Sequence, residues 1–161
     1  TQEPVPATSS TSPLDPGSAT PTEKGLAALG LEVDPPPGWK LYSNGGVTEF
    51  RRQEDASFPN VTFQRWRVAE LSMEDAFKEL ETAMVTNYPN VAIQKKETRT
   101  IGALTAEVLR GEFKDRGLVF TQLLVRHGDH MYLVGSQWPA ADADGERLTL
   151  DMCLNSLRFM P

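Results

Sequence analysis

The residues best placed to do chemistry are His127, Asp129 and His130, in the run RHGDH at 126–130. They include both histidines of the chain. Two imidazoles and a carboxylate are a donor set that zinc accepts, and a metal held there would make the protein a metal-dependent enzyme. The spacing favours another reading. Gly128 and Asp129 are residue types that tolerate the positive φ of a two-residue hairpin turn. His127 and His130 then flank the turn as a cross-strand pair. A metal between them still needs one more ligand and an outer shell of hydrogen bonds. The turn accounts for Gly128 and Asp129 directly, so no metal site is assigned to this run.

Four other features invite a chemical reading. DADGE at 142–146 has the look of a calcium loop. With Gly145 in the sixth position, Ala140 falls in the first and Asp151 in the twelfth, so the first ligand is missing. Acidic residues at a helix start are favourable on their own. Cys153 is the sole cysteine, which excludes an intramolecular disulfide and a cysteine zinc site. It sits in LTLDMCLNSL, on the apolar face of an expected helix, as a buried and inert thiol. Trp66 stands between Arg65 and Arg67, and an indole beside guanidiniums can stack on ring ligands. Strand alternation puts both arginines on the face opposite Trp66. If they gathered with Arg51, Arg52, Lys95, Lys96 and Arg99, the basic face would suit an anionic partner; solvated strand surface is the simpler expectation. Asn60-Val61-Thr62 matches a glycosylation sequon. Ser136 lies in VGSQW, which is not the elbow G-x-S-x-G. No catalytic residue and no cofactor is expected.

The elements that position these residues follow from periodicity. Residues 1–22 are almost all Thr, Ser, Pro, Ala and Gly, with no apolar period to repay ordering. They are expected to form a flexible tether over 1–23. A single domain should follow over 24–161, its regular core starting at about 38. EKGLAALGLEVD (23–34) suggests a short helix, which PPPGW (35–39) stops. Strands are expected over 39–43, 47–52 and 61–70, with NGG (44–46) as a turn. The period then changes. Met73, Phe77, Leu80, Met84 and Tyr88 recur at three and four, one face of a helix ended by Pro89. Ser72 and Asp75 resemble its capping box.

A second strand block occupies 91–138. VAIQKKETRT is charged and suits a sheet edge. LVFTQLLVRH and HMYLVGSQW are apolar on both faces, so they should be central and covered on both sides. A last helix is expected over about 145–157, capped by Asp144, with Leu150, Cys153, Leu154 and Leu157 inward. The class is α+β: an antiparallel β-sheet of about six to seven strands sandwiched between helices.

Bulk properties bound the function. The chain has 161 residues, net charge -6 and a pI near 4.9, against a general nucleic-acid binder. No apolar run approaches the ~20 residues of a membrane span. The Ser/Thr/Pro-rich start, opening on Thr1, suggests a processed extracytoplasmic lipoprotein with its lipidated cysteine upstream. Membrane association would then run only through that anchor.

PPPGW (35–39), FPNVTF (58–63), a single mid-chain helix, a long meander and a final helix ending in LNSLRF (154–159) together resemble the PsbP-like superfamily. Its branches include PsbP, DcrB and LpqN-type envelope lipoproteins. The resemblance covers roughly 35–160. It implies an antiparallel sheet between helices and a binding or assembly role, with another protein at the cell envelope as partner. It carries no catalytic motif onto this chain. The alternative is a cytoplasmic chaperone or adaptor that holds an apolar segment of a secreted protein.

Overall fold

The computed structural model describes residues 20–21, 25–44, 47–52, 58–67 and 71–160. Among these described residues ten strands and three α-helices follow one another. They are β1 (Thr20–Pro21), α1 (Gly25–Ala28), β2 (Leu31–Glu32), β3 (Lys40–Asn44), β4 (Val47–Arg51), β5 (Asn60–Arg67), α2 (Met73–Asn87), β6 (Val91–Ile101), β7 (Leu104–Phe113), β8 (Leu118–His127), β9 (His130–Pro139), α3 (Ala143–Ser156) and β10 (Arg158–Phe159). A 3₁₀ turn, Ala140–Asp142, leads into α3.

The main sheet runs β1-β3-β4-β5-β9-β8-β7-β6, with antiparallel neighbours throughout. The six or seven strands expected are present as seven, with the two-residue β1 added beside β3. The two doubly apolar strands, β8 and β9, are interior, and the charged β6 is an edge. β1 falls inside the segment expected to be a tether. The remainder of that segment lies outside the described residues.

Side-chain alternation on the central strands feeds two layers. Leu123, Val125, Tyr132 and Val134 pack with Leu150, Cys153 and Leu154 of α3 on one face. Leu124, Met131 and Leu133 meet Ala76 and Leu80 of α2 on the other. The α2 layer continues through Met84 against Leu109, Phe113, Leu118 and Phe120. Each fully buried large apolar side chain contributes about 1.5–3 kcal/mol, which is why a two-sided strand demands two layers. The Ser72 hydroxyl accepts a hydrogen bond from the Asp75 N–H at 3.1 Å, so α2 starts as the capping pattern predicts. Among the described residues no helix is long and apolar enough to cross a membrane.

Two local expectations are corrected. The segment after residue 23 gives only the four-residue α1, and Gly30 breaks it at φ 75°. Leu31–Glu32 then pair with Phe159–Arg158 as a second, two-stranded sheet. That partner lies at the far end of the chain, so no local window reveals it. Asp144 does not cap α3 but lies inside its first turn. Asp142 stands at the cap, and its carboxylate accepts from the Trp138 indole N–H at 2.9 Å.

Candidate functional site

The histidine hairpin has the geometry of a turn. His127 and His130 pair across the strands, and Gly128 adopts φ 63°. The His127 ring stacks on Phe159 at 4.3 Å and 15°. Phe159 in turn meets Tyr132 edge-on at 5.1 Å, and the Tyr132 hydroxyl donates to the Leu29 carbonyl at 3.0 Å. The hairpin thus clasps the C-terminal strand and the α1 turn to the main sheet. Among the described residues no three of His, Cys, Asp and Glu gather as a metal site.

The polar groups that a catalytic reading would recruit serve structure. Glu146 is buried in the first turn of α3, where it accepts from Ser136 Oγ at 2.8 Å and Thr121 Oγ1 at 3.3 Å. Burial pushes its pKa up, outweighing those hydrogen bonds and the charges of Arg110 and Arg147. It joins α3 to β8 and β9. Glu49 and Arg51 alternate on β4, share a face, and form a buried ion pair. Burial raises Glu49 to about 7 against the pull of Arg51. The Arg51 guanidinium lies over the Tyr42 ring at 5.0 Å. Asn60, the sequon residue, is buried, and its side-chain oxygen accepts from the Gln137 N–H at 3.1 Å. The Cys153 thiol is buried and pushed up to about 12, which removes it as a nucleophile near neutrality.

The basic residues do not form one face. β5 and β6 are separated by β9, β8 and β7, a distance of about 19 Å at strand spacing. On β6, Lys95 pairs with Glu97 at 3.2 Å, Lys96 with Glu81 at 3.0 Å, and Arg99 with Asp151 at 2.6 Å. Arg65 pairs in register with Tyr132, Trp66 with Met131 and Arg67 with His130. Arg65 reaches the α1 turn, its Nη1 standing 3.4 Å from where a Cβ on Gly30 would lie. The side chains of Trp66 and Arg67 lie outside the described residues.

An open apolar groove offers a site that the linear motifs did not suggest. It has a volume of about 530 Å³, within the range of natural ligand pockets. It is lined by Leu26 of α1, Leu31 of β2, Val33 just after it, Trp39, Leu41 of β3, Phe50 of β4 and Met160. Cover on this face is divided between elements of very different length. Among the described residues α3 packs over the sheet at β9, whereas the short α1 packs against β3. The core therefore continues outward as a groove. Trp39 is held by stacking on Trp138 at 5.4 Å and 22°. Among the described residues Glu32 is the one charged member of the lining. The sequence signals were the apolar Leu26, Leu31 and Val33 beside PPPGW, but nothing local showed what they would face.

No protein-family model matches the chain, and no curated protein is significantly similar to it. Solved structures do match. LpqN of Mycobacterium tuberculosis, described as involved in cell envelope biogenesis, superimposes with a TM-score of 0.61 at 12% identity, over 89% of this chain and 91% of that one. The cyanobacterial PsbP of Synechocystis gives 0.53 at 8% identity, over 81% and 92%. The fold is PsbP-like. A Pseudomonas aeruginosa protein of unknown function shares it with a TM-score of 0.55 at 12% identity, over 81% and 98%. At these identities the likeness establishes the PsbP-like architecture, and site residues must be argued from this chain.

Proposed function

We propose that this chain is a noncatalytic binding or accessory domain working outside the cytoplasm. Its Ser/Thr/Pro-rich N-terminal segment would tether it to a bacterial cell envelope, and the apolar groove would take up a partner protein. The groove is the observation that carries this reading: an apolar concavity with a rigid tryptophan wall suits recognition. The structural work done by Glu146, the Glu49–Arg51 pair and His127 supports binding over catalysis. The involvement of LpqN in cell envelope biogenesis supports the location.

A photo-crosslinking side chain placed at Ala27, exposed in the groove lining, tests the site. Adducts with an envelope protein should form from position 27 and not from Val85 on α2. Equal labelling from both positions, or none from 27, overturns the groove. Robust hydrolytic turnover by purified protein would overturn the noncatalytic reading.

The groove also accommodates a second reading, a cytoplasmic chaperone or adaptor holding an apolar segment of a secreted protein. The genomic precursor separates the two. A signal peptide ending in a lipidated cysteine supports the first, and its absence supports the second.

A further inference from the structure

We infer that the groove takes a protein segment in which one or two large apolar side chains stand beside a lysine or arginine. This rests on the groove being the binding site, as proposed above, and adds what the occupant must carry.

The rim supplies the argument. Glu32 lines the groove, and Asp34 lies between the lining residues Val33 and Pro35. Their side chains are 63% and 72% exposed. Both lean on Arg158, at 3.5 Å and 3.6 Å. Among the described residues, one guanidinium shared by two carboxylates leaves the rim with a surplus negative charge beside an apolar floor. The whole chain, at net charge -6, reinforces that field. An acidic peptide or an anionic lipid headgroup is repelled there. A basic residue gains a carboxylate while its aliphatic stem lies along apolar surface. The apolar anchors fill the floor, which is the usual division between anchors and rim in protein recognition. An uncharged acyl chain would use the floor and gain nothing from the two carboxylates, so the peptide is favoured.

The test uses the full chain and three fluorescein-labelled pentapeptides that share a Leu-Phe-Leu centre. Their two flanking residues are lysine, glutamine or glutamate, and binding is read by fluorescence anisotropy. The lysine peptide should bind about three- to tenfold more tightly than the glutamine peptide, as two exposed ion pairs allow. The glutamate peptide should bind worst. The preference should vanish in the Glu32→Gln/Asp34→Asn variant and shrink in 0.5 M salt. Equal binding of all three, or a preference that survives in the variant, overturns the basic-flank inference and leaves the groove standing. Displacement of the lysine peptide by phosphatidylcholine vesicles, with affinity unchanged in the variant, overturns it in favour of a lipid chain. If no peptide binds, or if Ala27→Trp fails to block binding, the groove itself is overturned as the site.

Discussion

Glu49 and Glu146 are carboxylates drawn into the protein at some expense to their charged forms. Both have folded-state pKa values raised above the ordinary 4.5, Glu49 to about 7. A raised carboxyl holds its proton more tightly in the folded chain. Its stabilising contribution is therefore full below pH 4.5 and lost as pH rises through the folded value. The urea midpoint should accordingly fall between pH 5 and pH 8. Glu146→Gln should flatten part of that fall, since an amide keeps bonds to Ser136 and Thr121 without titrating. An unchanged slope would place the titration elsewhere. Cys153 gives a second residue-scale prediction. With its thiol buried and raised to about 12, it should resist aromatic disulfide reagents in native buffer and react within seconds in 6 M urea. Rapid native labelling would contradict its burial. The inert thiol was legible from its helical face. The burial of Glu146 was not, because Ser136 and Thr121 come from two strands outside its local sequence window.

At the scale of elements, the β6–β7–β8 ladder shows how closely backbone and side chains can meet. A Cβ on Gly111 of β7 would collide with the Ala92 carbonyl and lie 2.7 Å from the Phe120 ring. The register also shifts nearby, between Ile93 and Lys95. Gly111→Ala should destabilise the protein by roughly 1–3 kcal/mol, as overpacking does, measured as a drop in urea midpoint at constant m-value. Gly117→Ala makes a useful comparison. There a Cβ meets nothing, yet φ is 62°, so any loss reports backbone strain alone. Helix α2, the central pair β8–β9 and the edge strand β6 could be read from period and polarity. Those signals are local to each element. The need for glycine at 111 is set by neighbours on both adjoining strands, so the glycine alone announced nothing.

At the scale of the whole molecule, residues 30–32 are joined to residues 158–160. Leu31–Glu32 pair with Phe159–Arg158, the Met160 N–H donates to the Gly30 carbonyl at 2.9 Å, and His127 stacks on Phe159. Phe159→Ala should loosen this clasp. Amide exchange should speed up in Leu31–Val33 and stay unchanged in α2; uniform protection across both would argue against a local clasp. The same contact bears on metal chemistry. With His127 committed to a ring stack, purified protein should retain zinc well below one equivalent after dialysis. The His127→Ala/His130→Ala variant should match it by atomic absorption. A stoichiometric metal lost in the double variant would revive the enzyme reading.

The sequence by itself determined the order of the seven long strands and the two long helices, the α+β class, the two-sided central strands and the hairpin nature of RHGDH. Each is written in a short window through side-chain period and turn chemistry. Only the tertiary structure decided that Leu31 and Phe159 belong to one small sheet, that Glu146 is buried on two hydroxyls, and that Leu26, Leu31, Val33, Trp39, Leu41 and Phe50 line one groove. The physical reason is range. A period reports which face of an element is apolar, whereas a groove forms where elements distant in sequence fail to cover one another completely.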